Sequence, residues 1–188
     1  MAGRKAKLPE APRPKARGAD DLTLDLERYV PALLIFIANK FTHGASSLYR
    51  RNFGVGVIEW RCMALLAIEP WISPNRICQV IGLDKAAISR SIRALQKQKL
   101  VEVRANSQRS RFLEVALTRK GRELHGRLVR VALEREKRLL ADIEPDELEI
   151  LISALNRMHR RLPEVNAPVE LPPPTATLQK TPRRRGGK

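Results

Sequence analysis

Aromatic side chains are scarce in this chain of 188 residues, at 4%, and its cysteines are limited to Cys62 and Cys78. Both cysteines sit inside apolar patterns without CxxC spacing or further partners. That excludes a disulfide framework and a structural zinc site and makes them small core hydrophobes. No apolar run approaches the roughly 18 to 20 residues that a bilayer-spanning helix needs. The N-terminal MAGRKAKLPEAPRPK is basic but leads into no apolar stretch of the kind a secretory signal requires. A cytoplasmic, nucleoid-associated chain with no membrane partner is expected. No GxSxG, HExxH or phosphate-loop pattern occurs, and GVGVIE lacks the third glycine of the dinucleotide fingerprint. His43, His125 and His159 are scattered, with no carboxylate or cysteine at helical spacing. An enzyme is not expected, nor is a cofactor or a metal.

What the chain does have is positive charge: 36 Lys and Arg against 20 Asp and Glu, a net +16. Part of it lies in the ends. Residues 1–19 carry six basic residues against Glu10, and residues 163–188 carry five against Glu164 and Glu170, with six prolines. Both ends are too polar and proline-rich to bury a core and read as disordered basic tails. Half of the excess remains on residues 20–162, so the folded part is itself basic, which favours a polyanion as partner.

Between the tails the apolar period is mostly helical. Leu26, Tyr29, Val30, Leu33, Ile37 and Phe41 share one face of a first helix expected from about Leu22, where Pro31 imposes a kink or a later start. A short helix is expected over Ser46–Arg51 and a third over Val57–Ile68, stopped by Pro70. Ser73-Pro74 then pairs a capping side chain with a proline at the first helical position. The helix NRICQVI ends at Gly82, and Asp84 is placed to cap the next, Lys85–Gln98. Two short helices joined by a three-residue turn containing glycine make a helix-turn-helix. The second helix turns Ile88, Ile92 and Leu95 inward. Its other side carries Lys85, Ser89, Arg90, Arg93 and Lys97 and no acid.

The period then drops from 3.6 to 2. Leu100–Arg104 and Phe112–Leu117 read as strands of a hairpin whose loop carries Arg109 and Arg111, which makes the hairpin a wing. Thr118 caps a long helix to about Ala141, and Pro145 opens a last one through Leu162. The expected fold is mainly α with a small β-hairpin wing. A winged helix-turn-helix at about 57–117 is flanked by helices at about 22–51 and 118–162, whose apolar stripes need burial in a dimerisation domain with a second copy of the chain.

Three stretches, GVIEWRCMALLAIEP, SPNRICQVIGLDKAAISRSIRALQKQKLVEVR and VALTRKGRELH, resemble the MarR family of winged-helix transcriptional regulators, from about Leu22 to Leu162. The resemblance implies a homodimer whose two reading heads enter successive major grooves of double-stranded DNA at a pseudo-palindromic operator. It also implies a small, frequently aromatic effector in the cleft between dimerisation helices and reading head. Arg111 stands where the family has the arginine that enters the minor groove, while Arg109 replaces the aspartate that usually helps hold the wing.

Candidate DNA contacts are therefore Lys85, Ser89, Arg90 and Arg93 on the second helix and Arg104, Arg109 and Arg111 on the wing. Arginine pairs bidentately with the O6 and N7 of guanine, and serine reaches phosphate or a base edge. Candidate effector residues are His43, Ser46, Tyr49, Arg50, Trp60 and Arg61, which offer flat apolar walls and cations for a carboxylate. The leading reading is a sequence-specific repressor released by an aromatic acid or its thioester. Two readings compete with it: an architectural protein that coats DNA with little specificity and takes no ligand, and a protein that uses the cleft for chemistry. The organised reading head opposes the first, and the missing acid–base constellation opposes the second.

Overall fold

Pro31 decides where the first helix begins. Its fixed φ suits the first turn and its ring excludes a preceding one, so the computed structural model, which describes residues 23–105 and 113–169, starts α1 at Val30 rather than near Leu22. A turn at Asp25–Arg28 precedes it. The separate short helix expected over 46–51 does not form. α1 (Val30–Phe53) runs through Gly44 as one piece and stops where Gly54 takes a left-handed conformation, φ 70°. α2 (Val57–Ile68) follows, buried through Cys62, Met63, Leu65 and Leu66.

The caps of the next two helices are those the sequence indicates. Ser73 accepts a hydrogen bond from the Arg76 amide at 3.2 Å and opens α3 (Pro74–Ile81), and Gly82 closes it at φ 73°. The Asp84 carboxylate accepts from the Ala87 amide at 2.8 Å and opens α4 (Lys85–Lys97). Caps of this kind contribute about 1 kcal/mol each. α4 ends in a Schellman motif: the Leu100 amide donates to the Leu95 carbonyl and the Lys99 amide to that of Gln96, both at 2.9 Å. The left-handed position of that motif, usually a glycine, is held by Lys99 at φ 61°.

β1 (Val101–Ala105) and β2 (Leu113–Leu117) pair antiparallel, Val101 facing Leu117 and Arg104 facing Glu114. The loop between α2 and α3 adds one bridge to this hairpin, the Val115 amide donating to the Ile72 carbonyl at 2.9 Å. The core of the reading head gathers Met63, Leu66, Ile77, Ile88, Leu95, Leu100 and Val115, with Leu128 from α5 (Arg119–Leu139) closing it. Cys62 is wholly buried in this core, and burial pushes its thiol up to about 12.

The chain divides into two compact units that part between Glu134 and Arg135. The second unit contains the end of α5 and α6 (Pro145–Val165), which opens on a capping box between Glu144 and Glu147. α6 continues past Pro163 to Val165, beyond the end expected at Leu162, and none of its residues is buried. The C-terminal tail expected from residue 163 therefore begins inside α6 rather than as disordered chain; the expected N-terminal tail, 1–19, and residues 170–188 lie outside the described residues. No helix among the described residues is long and apolar enough to cross a membrane.

Candidate nucleic-acid interface

α4 is divided lengthwise by burial. Ala87, Ile88, Ser91, Ile92 and Leu95 face the core, whereas Lys85, Arg90, Arg93 and Lys97 are exposed and Ser89 is half-buried. The helix thus presents a row of cations on the side away from the core, and no acidic residue stands among them. The Arg93 guanidinium donates to the Ser89 hydroxyl at 3.0 Å, one turn back. This bond narrows the conformations open to a long side chain, and less rotamer freedom remains to be lost when the arginine meets a partner.

At the wing, Arg104 is the described member of the expected set; Arg109 and Arg111 lie outside the described residues. Its Nε donates to the Glu114 carboxylate at 3.2 Å, across the strand pair, and its guanidinium lies 3.7 Å from the centre of the Trp71 ring. Trp71 and Glu114 join the expected residues here only through the fold. Nothing local marks a loop tryptophan as the neighbour of a strand arginine.

The six expected effector residues are brought to the α1–α2 region but not equally presented. Tyr49 is buried, its ring edge-on to Trp60 at 6.1 Å and to Phe53 at 6.5 Å. Trp60 is half-buried and stacks on His125 of α5, ring centres 5.4 Å apart. Burial there holds the His125 imidazole below its usual pKa of 6.5. The Arg61 guanidinium donates to the Thr42 hydroxyl at 3.1 Å, Ser46 is half-buried, and His43 and Arg50 are exposed. A cavity of about 400 Å³ opens instead one turn further along α1, lined by Phe53, Gln98, Leu100, Lys120, Leu124 and Arg127 among others. The Arg127 guanidinium stands over the Phe53 ring at 5.3 Å. This cavity leaves no mark in the sequence, because its walls come from segments far apart in the chain. No cluster of side chains able to hold a metal is present among the described residues.

The family model described as MarR family matches residues 53–111, which hold the end of α1, the helix-turn-helix and the start of the wing. A solved MarR/EmrR family transcriptional regulator from an Acinetobacter species superposes with a TM-score of 0.70 at 33% identity, covering 75% of this chain and 99% of that one. An uncharacterised HTH-type transcriptional regulator of Bacillus subtilis, YdgJ, is 27% identical over 117 residues, 61% of this chain and 70% of that protein. A MarR mutant from E. coli, solved in complex with operator DNA, superposes with a TM-score of 0.62 at 18% identity over 70% of this chain and 94% of that one, a likeness of fold. With the helix order, the caps and the wing in place, this chain belongs to the MarR family, whose members are DNA-binding transcriptional regulators and not enzymes.

Proposed function

We propose that the protein is a homodimeric repressor that reads a pseudo-palindromic operator and is released by a small aromatic acid or its thioester. The observation that carries the DNA part is the single-signed exposed face of α4. Lys85, Ser89, Arg90 and Arg93 enter the major groove in this reading, with Arg104, Arg109 and Arg111 at the wing beside it. The operator DNA bound by the E. coli relative supports the same use of the fold.

The dimer is supported by apolar surface. Val30, Leu33, Leu34, Phe36 and Ile37 of α1 are exposed in the single chain, and so are Ile150, Leu151, Ile152 and Leu155 of α6. Isolated chains rarely leave such continuous rows in water. A two-fold dimer places its half-site centres about one helical turn, roughly 10 bp, apart. A duplex selected by the protein from a randomised pool should therefore bind far more tightly than a random duplex at the same salt. Insertion of about half a turn between its half-sites should abolish that advantage. Equal binding to both duplexes would instead favour an architectural coat without a ligand.

The effector part is supported by the aromatic cluster Tyr49, Phe53 and Trp60, with His43, Ser46, Arg50 and Arg61 along α1 and α2, and by the neighbouring cavity with Arg127. A ligand shifts DNA affinity only through its differential affinity for the two forms of the dimer. A hundredfold release corresponds to about 2.7 kcal/mol. By reciprocity, operator DNA must weaken the ligand by the same factor. Calorimetry of aromatic acids with and without bound duplex tests this, and Arg50→Ala against Arg127→Ala distinguishes the two ends of the cluster. Equal ligand affinity in both states would remove the release mechanism.

A further inference from the structure

The loop between α2 and α3 holds the wing hairpin on both of its strands. Its Ile72 carbonyl takes the Val115 amide of β2, and its Trp71 ring lies against the Arg104 guanidinium of β1. Arg104 is in turn bonded to Glu114 on the facing strand. Trp71 has φ 60°, a left-handed conformation that a bulky residue rarely adopts. The loop around it is fixed at both ends: Glu69 and Arg76 form a bidentate pair at 2.9 and 3.0 Å, and Ser73 caps α3. Arg104 sits one residue before the last paired position of β1, at the base of the segment that carries Arg109 and Arg111.

We propose that Trp71 and Arg104 are positioning residues that brace the wing against the helix-turn-helix, fixing the angle at which wing and α4 meet DNA together. The inference rests on the reading of α4 and the wing as the DNA surface. It assigns Arg104 a task other than phosphate contact. Glu114 opposes its charge from the facing strand, and one flat face of its guanidinium is covered by the Trp71 ring, so its described contacts tie it to the hairpin and the loop. A strained tryptophan backbone persists where the surrounding structure over-determines it. Here the strain places a flat surface where a planar cation, and not an ammonium, stacks on it.

The test uses the full chain with Trp71→Gly, Trp71→Phe, Arg104→Lys, Arg104→Gln and the Trp71→Gly/Arg104→Lys double variant. Glycine accepts the left-handed backbone, so loss of the ring is separated from damage to the loop. Two readouts are taken: hydrogen exchange of the hairpin in the free protein, and affinity for a wild-type-selected duplex across a salt series. The brace predicts faster hairpin exchange and about three- to fivefold weaker binding in Trp71→Gly and Arg104→Lys, with an unchanged salt slope. Trp71→Phe should stay near wild type, and the double variant should be no worse than either single one. A phosphate contact predicts the reverse: Arg104→Gln would lower the slope by about 0.9 and Arg104→Lys would restore it. That outcome, or wild-type hairpin exchange in Trp71→Gly and Arg104→Lys, overturns the proposal. If the wild-type chain shows no preference for its selected duplex, the DNA-reading assignment fails, while the exchange data still decide the brace.

Discussion

The α-carbon of Gly121 lies against the carbonyl oxygen of Leu100, with no room for a methyl group between them. The same carbonyl accepts the Thr118 amide at 3.0 Å. The Thr118 hydroxyl donates to the Lys99 carbonyl at 2.8 Å and accepts from the Gly121 amide at 3.0 Å. Thr118 and Gly121, both within the stretch VALTRKGRELH, are thus the cap of α5 and a point where its backbone lies directly against the chain leaving α4.

Gly121→Ala should destabilise the protein by about 1 to 3 kcal/mol, because the obstacle is backbone and not a movable side chain. Gly126→Ala, in the same helix with open space around its α-carbon, should be neutral or stabilising by up to about 1 kcal/mol. Urea unfolding of both variants checks the contrast. Equal stabilities would refute the packing argument.

Arg90→Ala and Arg93→Ala should each weaken binding to a selected duplex by roughly 1 to 3 kcal/mol and reduce its advantage over random DNA. Ser89→Ala should have a smaller effect, felt through the lost hydroxyl and the freed Arg93. Fluorescence anisotropy against both duplexes measures this, and unchanged affinity in the two arginine variants would place the reading surface elsewhere.

Ile37→Glu and Ile152→Glu should shift the dimer toward monomers. Both side chains are exposed in the single chain, so neither substitution should cost the monomer its helices. A buried isoleucine contributes about 1.5 to 3 kcal/mol, and the two-fold would remove it twice. Sedimentation at micromolar concentration, with circular dichroism as control, decides. A wild-type monomer would exclude the dimer altogether.

The stacked pair Trp60 and His125 gives an optical reading of pH. His125 titrates below 6.5 because burial disfavours its charged form, so its contribution to stability is present above 6.5 and is lost as pH falls through the folded value. With Trp71→Phe removing the other tryptophan, Trp60 emission should change with a midpoint below 6.5 and become flat in His125→Gln. A midpoint above 6.5 would contradict the burial.

Alkaline pH acts in the opposite sense on Cys62. Its folded pKa, about 12 against an ordinary 9.0, makes stability fall as pH rises from about 9. Cys62 should resist thiol reagents at pH 8 until the protein is unfolded, while half-buried Cys78 reacts earlier. Rapid labelling of both thiols in the native state would sink this.

Much of the reading head was legible because its signals are local. Ser73, Gly82 and Asp84 each set a helix end through a neighbour at most four residues away, Pro145 does so through its own ring, and all four stand where the pattern puts them. α1 is harder to read, since a glycine in a helix costs only about 1 kcal/mol and packing overrides it; the two helices expected on either side of Gly44 are one. Lys99 and Trp71 were invisible as left-handed residues because neither type signals that conformation. The Trp60–His125 stack and the cavity beside Phe53 depend on α5 returning to α1 and α2, which no local period encodes.

The junction between α4 and α5 carries one more consequence. Besides the bonds of Thr118 and the seat of Gly121, the Lys120 ammonium donates to the Gln98 carbonyl at 3.0 Å, so three successive carbonyls, from Gln98 to Leu100, are held by the cap and first turn of α5. The hairpin is thereby a detour, and its two ends are stitched together at its root. A transplant of DNA specificity that exchanges α4 alone would cut those stitches. The smallest graft that keeps its own seam runs from Asp84 through Gly121, wing included, and chimeras spliced inside that span should express as less cooperative folds than chimeras spliced at its borders.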